Sequence, residues 1–431
     1  MSRHLRSFRA RIGLIALAGL VIRLVYVFGP ARNVKGIGDW YFFHWGANLI
    51  ADGHWFVEPF EQVFHGKLVP SAGHPPLWEL LLSGVSFLGG TSYLAHRAFG
   101  CFVGAVTIVL IGMLGRRVGG SDRAGVVAAV IAAIYPVMIA ADGSLMSEGL
   151  YGLLVTSALL LALKVYDGGG ARPAAGLGAV IALAALTRSE ALVRIPLLAL
   201  PVALTRVPRR AGLIRALACC AAAALVLAPW LVRNWAEFGR PVLVSTNDGT
   251  LLAGANCDLT YHGRDLGFWN IACISKRSIA NEAQQAARWR SQGATYIGDH
   301  LSRLPAVIAV RILRTWDLYQ PRRMVLFAEG RWIRADQAGI VAYFLLLPFA
   351  FAGGWLIRRR RAELLIMLAP VAMVFVQSVI GYGIPRFRHA AEIAIVVLAA
   401  VAITRLLERR RARRAGEDRS ADWPPGAPAR S

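Results

Sequence analysis

Eight apolar runs, each close to the length of a bilayer crossing, recur along the 431 residues. A membrane-spanning helix needs about 17–25 mostly apolar residues. In chain order the runs cover residues 12–28, 98–114, 124–141, 149–165, 213–232, 340–357, 364–380 and 390–407. A further apolar stretch, 174–204, is interrupted by Arg188, Glu190 and Arg194 and reads as a hairpin of two short helices. The expected fold is therefore mainly α and polytopic, with about ten transmembrane helices. Composition agrees: 56% of residues are apolar and 17% charged, against roughly 25% charged in soluble domains. Residues 77–88 are apolar but end at Gly89-Gly90. That length predicts a juxtamembrane helix rather than a crossing.

A net charge of +23 invites a nucleic-acid reading. The placement of the charge argues against one. Arg3, Arg6, Arg9 and Arg11 precede the first run, Arg116, Arg117 and Arg123 follow the second, and Lys164 and Arg172 mark the end of the fourth and the loop after it. Arg206, Arg209, Arg210 and Arg215 form another group, Arg358 to Arg361 an unbroken block, and the segment from Arg405 a basic tail. Alternate loops enriched in arginine are the orientation signal of cytoplasmic-membrane proteins. The reading is a multi-pass chain with both termini cytoplasmic and no nucleic-acid partner. The first run is too long for a cleavable signal and lacks a small-residue cleavage site. Residues 1–232 are expected to form an N-terminal membrane module whose outer loop spans 30–96. Residues 233–336 form an outer loop domain of α/β type, 337–407 the C-terminal helices, and 408–431 a disordered cytoplasmic tail.

Four polar elements fall on the outer side of this topology. Gly38-Asp39-Trp40 opens a helical pattern that closes at Asp52-Gly53, with Asp39 at a capping position. Gly73-His74-Pro75-Pro76 leads into the short apolar helix, with Glu79 in its first turn, since proline is accepted there. Asp142 and Ser147-Glu148 lie between two runs. An ionisable residue at the edge of a span marks a functional site by default, because burying it is costly. Arg386-Phe387-Arg388 precedes the last run, against the orientation bias, and so needs an anionic partner such as a lipid phosphate. Each element also has a plain alternative: a cap, a turn, a solvated carboxylate, a generic headgroup contact. Asn247, Asn256, Tyr261 and Trp269 are residues that sugar sites use, and equally ordinary in a small folded domain. Leu301, Leu304, Ile308, Ile312 and Trp316 predict an amphipathic helix over 299–319 on the membrane surface. Cys257 and Cys273 share the second outer segment, where a disulfide and two free thiols are both open.

Taken in order, these residues resemble the C-type (GT-C) membrane glycosyltransferases, in the branch that includes protein O-mannosyltransferases and the aminoarabinose transferase of lipid A. The resemblance runs through Ala51-Asp52-Gly53, His74-Pro75-Pro76-Leu77, Arg97, Gly115-Arg116-Arg117-Val118-Gly119-Gly120 and Ser147-Glu148. It continues through Leu186-Thr187-Arg188, Pro229-Trp230-Leu231-Val232-Arg233-Asn234-Trp235, Phe238-Gly239-Arg240-Pro241, Ser245-Thr246-Asn247 and Arg386-Phe387-Arg388. The resemblance implies a polyprenyl-phosphate-linked sugar as donor and an acid in the first outer loop, here Asp39, that activates the acceptor. It implies a second acid at Glu148 and donor-phosphate contacts at Arg386 and Arg388. The chain departs from the aminoarabinose-transferase pattern at Gly73-His74, where that pattern has Glu-Lys, and at Phe387, where many members have Tyr. These departures bear on the sugar and the acceptor.

The chemistry implied is hexosyl or pentosyl transfer at the outer face, inverting by direct displacement with Asp39 as base. Arg386 and Arg388, with His74, would meet the donor phosphate. Asp142, Arg188 and Asn247 are further substrate-contact candidates. The acceptor is a lipid, a protein or a glycan, and membrane lipids are partners. The sequence makes no cofactor certain; the carboxylates could hold a divalent metal cation, though no ligand spacing demands one. The competing class is a transporter or flippase for a lipid-linked precursor, with Arg188, Glu190 and Arg194 as its ionisable core.

Overall fold

The computed structural model describes residues 3–36, 38–275, 281–327 and 329–421. Helix α1 (Arg3–Phe28) is followed by three shorter helices, α2 (Asp39–Ala51), α3 (Pro59–His65) and α4 (Leu77–Phe87). Next come α5 (Tyr93–Gly119), α6 (Asp122–Ile134), α7 (Pro136–Asp142) and α8 (Glu148–Tyr166). Helix α9 (Ala171–Ala185) connects to α10 (Leu200–Leu204) through a 3-10 turn at Ser189–Val193 and a π turn at Ile195–Ala199. Helix α11 (Arg209–Phe238) leads into α12 (Asn247–Ala255), α13 (Asp258–Tyr261), α14 (Glu282–Asp299), α15 (Leu304–Thr315) and α16 (Pro321–Met324). Helices α17 (Ile333–Leu356), α18 (Arg361–Ile380) and α19 (His389–Ala421) complete the described residues.

The protein is a multi-pass membrane protein. Among the described residues, seven helices are long and apolar enough to cross a bilayer, and eight if α6 and α7 together form one bent span. These eight units coincide with the eight apolar runs. The run over 124–141 bends by 60° at Tyr135-Pro136, because Pro136 lacks an N–H and pushes Tyr135 into an extended conformation (φ −72°, ψ 114°). The two further crossings expected in 174–204 are shorter than a span. Helix α9 has 15 residues, and the stretch after it winds in irregular turns around the charged residues 188–194.

Local signals explain where the helices begin and end. Ser92 and Ser121 cap α5 and α6 by accepting from the backbone N–H groups of Ala95 and Ala124, both at 3.2 Å. Helix α5 closes on Gly120, whose φ of 71° is one that a side chain would resist. Helix α19 is the centre of the bundle, with residues 390–402 buried on every side, the expected state of a helix apolar all round. Helix α17 approaches it closely at Gly353, where any side chain would collide with the carbonyl of Leu398.

Three expectations change. The sequence predicts an α/β segment over 233–336, yet its described residues form helices and turns, and no named strand occurs among the described residues of the whole chain. Its polar residues work as helix caps rather than strand ends: Asn281 accepts from the N–H of Gln284 at 3.1 Å. The amphipathic helix of 299–319 is shorter, Leu304–Thr315. Its buried face carries Val307, Arg311, Arg314 and Thr315 rather than the leucine stripe, since α18 and the 255–266 loop offer carbonyls to both arginines. Helix α19 continues through Ala421, beyond residue 408 where a disordered tail was expected to begin. The remainder of that tail lies outside the described residues. Cys257 and Cys273 are joined by a disulfide with Cα atoms 5.9 Å apart.

The bundle has two chemically distinct ends. At one, the basic loops meet: Arg117 pairs with Asp167 at 2.6 Å, Arg360 donates to the Val118 carbonyl at 2.6 Å, and Arg206 stacks on Tyr166 at 4.5 Å. The other end holds the N-terminus of α8. Glu148 opens this helix and Lys164 sits in its last turn, about 24 Å away along the axis.

Candidate active site

Arg386 is the centre of the acidic end. The 3-10 turn Pro385–Arg388 enters α19 and projects this side chain between three loops. Its Nη2 donates to Asp39 Oδ2 at 3.0 Å, its Nε to Glu148 Oε1 at 2.9 Å, and its Nη1 to Glu329. Each of the three guanidinium nitrogens thus donates to a different carboxylate, so one side chain organises three acids that would otherwise repel.

Asp39 reaches this point as the first residue of α2. The cap position belongs to Gly38, which makes no side-chain capping bond. The carboxylate of Asp39 is therefore spent on Arg386 and on His74, whose Nε2 lies 3.4 Å from Oδ1. Burial pushes the Asp39 carboxyl up, but the charges of His74 and Arg386 outweigh burial and hold it below its ordinary value. Burial depresses His74, against the opposing pull of Asp39. His74 packs against the rings of Phe42 and Phe43 at 4.5 and 5.2 Å. Its loop is tied to the 245–282 segment: Thr246 N–H donates to the Ala72 carbonyl at 2.9 Å, and Ala72 N–H to Glu282 at 3.1 Å.

Glu148 is 1% exposed. It receives Arg188 Nη1 at 3.0 Å as well as Arg386, and Arg331 stands 4.0 Å from its other oxygen. Arg188 is fixed from the far side by Glu190 at 2.7 Å, which also accepts from Gln377 at 3.1 Å. Arg188 and Arg386 line the cavity, and Glu148 sits behind them. The cavity holds about 420 Å³, the range of small-ligand sites. Asp39, His74, Glu329 and Tyr382 line its polar part, with Asn247 and Trp269 on one side. Met373, Val376 and Ile380 of α18, with Leu251 and Val193, make an apolar wall.

Of the expected residues, Asp39, His74, Glu148, Arg188, Arg386 and Asn247 thus gather at one place. Arg388 does not. It points away from the cavity into the core at 2% exposure, clamped by Asp317 at 2.9 Å and Glu392 at 2.6 Å. It also donates to the Thr315 carbonyl at 3.1 Å and lies over the Tyr343 ring at 3.7 Å. A tight turn sends residues two apart in different directions, and Arg388 is committed to Asp317 and Glu392 outside the cavity. Asp142 is equally absent from the cavity. It neutralises the buried Arg23 at 2.7 Å, inside a helix contact where Arg23 also donates to the carbonyls of Gly19, Ala132 and Ala133. Asn256 and Tyr261 bond each other at 2.9 Å beneath Arg311 and are structural.

Glu329 and Arg331 are additions that sequence reading missed. They lie in an irregular loop with no motif, and only the tertiary fold brings them to Arg386. Burial raises the Glu329 carboxyl to about 7, against the pull of Arg386. Among the described residues, no group of three or more His, Cys, Asp or Glu side chains is disposed to hold a metal ion. Each site acid faces an arginine instead.

Residues 73–233 match the family model described as dolichyl-phosphate-mannose-protein mannosyltransferase. No curated protein sequence matches the chain. Among solved structures, the apo oligosaccharyltransferase of Archaeoglobus fulgidus is similar with a TM-score of 0.59 and 14% identity, over 95% of this chain and 52% of that one. The same enzyme in complex with Zn and sulfate gives 0.56 and 15%, over 94% and 50%. The chain thus spans about half the length of the oligosaccharyltransferase it matches. ArnT from Cupriavidus metallidurans bound to undecaprenyl phosphate is a looser likeness, at 0.40 and 16%, over 91% and 77%. The family model and the oligosaccharyltransferase fold bear out the GT-C resemblance read from the sequence.

Proposed function

We propose that the protein is a glycosyltransferase. It moves a sugar from a polyprenyl-phosphate donor to an acceptor hydroxyl at the outer face of the cytoplasmic membrane. The observation that carries this reading is Arg386, held among three carboxylates at the edge of a cavity with an apolar wall. The prenyl chain would lie along Met373, Val376 and Ile380, and the phosphate would meet Arg386 and Arg188. Asp39 accepts the proton of the acceptor hydroxyl as its oxygen attacks the anomeric carbon. The bond from that carbon to the phosphate oxygen breaks, and polyprenyl phosphate departs with the electron pair, its charge met by the arginines. Displacement from the opposite face inverts the anomeric centre. His74 holds Asp39 in place, and Glu148 is a positioning residue that fixes both arginines. The Arg388 phosphate role passes to Arg188.

The outer-face location is supported by the basic loops collected at the opposite end and by the Cys257–Cys273 disulfide, a bond of oxidising compartments. On this orientation 1–232 is the N-terminal membrane module, 233–336 the extracytoplasmic segment, 337–407 the C-terminal helices and 408–431 the cytoplasmic tail. The deciding experiment supplies radiolabelled polyprenyl-phosphate sugar to the detergent-purified protein together with cell-envelope acceptors. Label appearing in an acceptor is the expected result. Movement of the lipid between vesicle leaflets without label transfer would replace this reading with a flippase.

Glu329 gives the donor step a pH dependence. Ionised, it occupies the Arg386 Nη1 face that a phosphate needs; protonated, it releases that face. A phosphodiester donor does not titrate near neutrality, so the change belongs to the protein. With the carboxyl at about 7, the donor KM is expected to fall by about tenfold from pH 8 to pH 6. Glu329→Gln should make it flat. A wild-type KM that does not move with pH, or an unchanged slope in the variant, would remove Glu329 from donor binding.

A further inference from the structure

At the basic end, far from the candidate active site, a groove of about 1000 Å³ opens between α1 and α8, with α5 as its floor. Its lower part is apolar: Ile12 and Gly13 on α1, Val109 and Met113 on α5, Leu160 and Leu163 on α8. Its rim is charged. Arg9, Arg116, Arg117 and Lys164 face two carboxylates, Asp122 and Asp167. Asp122 engages Arg116 through one nitrogen, whereas Asp167 and Glu363 together engage all three nitrogens of Arg117. Arg116 Nε meets Asp122 at 2.7 Å and Arg117 Nη2 meets Asp167 at 2.6 Å. Arg116 also lies over the Phe8 ring at 4.7 Å. A guanidinium carries five N–H groups, so Arg116 keeps donors for an anion at the rim, beside the ammonium of Lys164.

We infer that this groove is a binding site for one anionic phospholipid of the leaflet on the Arg117 side, with its phosphate at the arginine rim and its acyl chains along Gly13, Met113 and Leu160. Orientation bias explains why the loops here are basic. It does not explain why two spans part over a third to leave an apolar slot beneath the cations. The gradient from apolar floor to cationic rim follows the order of parts in a lipid. A soluble anion would leave the slot empty, and a zwitterionic headgroup would bring its own cation to a rim already in positive excess. Gly13 marks the open side: a Cβ built there meets nothing within 4 Å, so a large side chain can fill the groove without disturbing helix packing.

Native mass spectrometry of the full chain in detergent, with equimolar phosphatidylglycerol and phosphatidylethanolamine, tests the site. Retained phosphatidylglycerol is expected to exceed phosphatidylethanolamine by about fivefold or more, because a surface cation changes anionic-lipid binding by about fivefold. Lys164→Ala, at an exposed position, should reduce that excess by a similar factor, and Gly13→Trp should abolish it while the protein elutes as before. Glycerophosphoglycerol, the headgroup without chains, should not displace the bound lipid. Equal retention of the two lipids by the wild type would overturn the site. So would an undiminished excess in both variants, or displacement by the chainless headgroup, which would point to a soluble anion.

Discussion

Asp39→Asn is expected to fold as the wild type does and to lose transfer activity by about 10²- to 10⁴-fold, the range a positioned general base contributes. The amide keeps the shape and can still accept from Arg386, whose Nη2 lies 3.0 Å from the wild-type carboxylate. What it cannot do is take a proton. The loss should fall on kcat, with the donor KM unchanged or lower, because one anion competing for Arg386 has been neutralised. The pH profile separates this base from its neighbour. The Asp39 carboxyl is held below its ordinary value by His74 and Arg386 against the push of burial. It therefore stays ionised through the neutral range, and kcat should decline only as pH falls below the ordinary carboxylate range. An Asp39→Asn protein that elutes normally and retains full turnover would sink the assignment.

Arg386→Lys is expected to reduce transfer by about 10²- to 10³-fold, the cost of removing an oriented donor from a site of developing charge. Lysine keeps the charge but loses the planar fork that reaches Asp39, Glu148 and Glu329 at once. Both kcat and donor KM should suffer, since the phosphate is met before and during bond cleavage. Arg388→Met is the informative contrast. Arg388 is at 2% exposure between Asp317 and Glu392, so the variant strands two buried acids. Breaking such a network costs about 3–5 kcal/mol, and the expected result is a lower unfolding temperature with the surviving protein's donor KM near normal. Thermal unfolding read beside transfer kinetics distinguishes the two arginines. A stable Arg388→Met protein with a selective donor-binding defect, beside an active Arg386→Lys, would exchange their roles.

The two arginines also show where sequence reading stops. Both stand in one short motif, both oppose the orientation bias, and nothing in Arg386-Phe387-Arg388 separates them. The 3-10 turn does, by sending one into the cavity and the other into the core. Asp142 and Glu148 pose the same problem six residues apart. One balances Arg23 inside a helix contact and the other anchors the site arginines. Which acid does which depends on α1 and on the turn before α19, elements distant in the chain. Glu329 and Arg331 carried no local signal because an irregular loop has no period to read.

By itself, the sequence determined the class of the molecule. Apolar runs matched to bilayer thickness can be satisfied only by backbone hydrogen-bonded within each segment, so each long run becomes a helix. The chemistry of Asp39, His74, Arg188 and Arg386 was likewise visible, since a charge at the edge of a span must find a partner. The tertiary structure decided the partners. A buried charge is stable only where an opposite charge or a set of carbonyls meets it at hydrogen-bonding distance, and that distance is set by packing between segments hundreds of residues apart in the chain, as between Asp39 and Arg386.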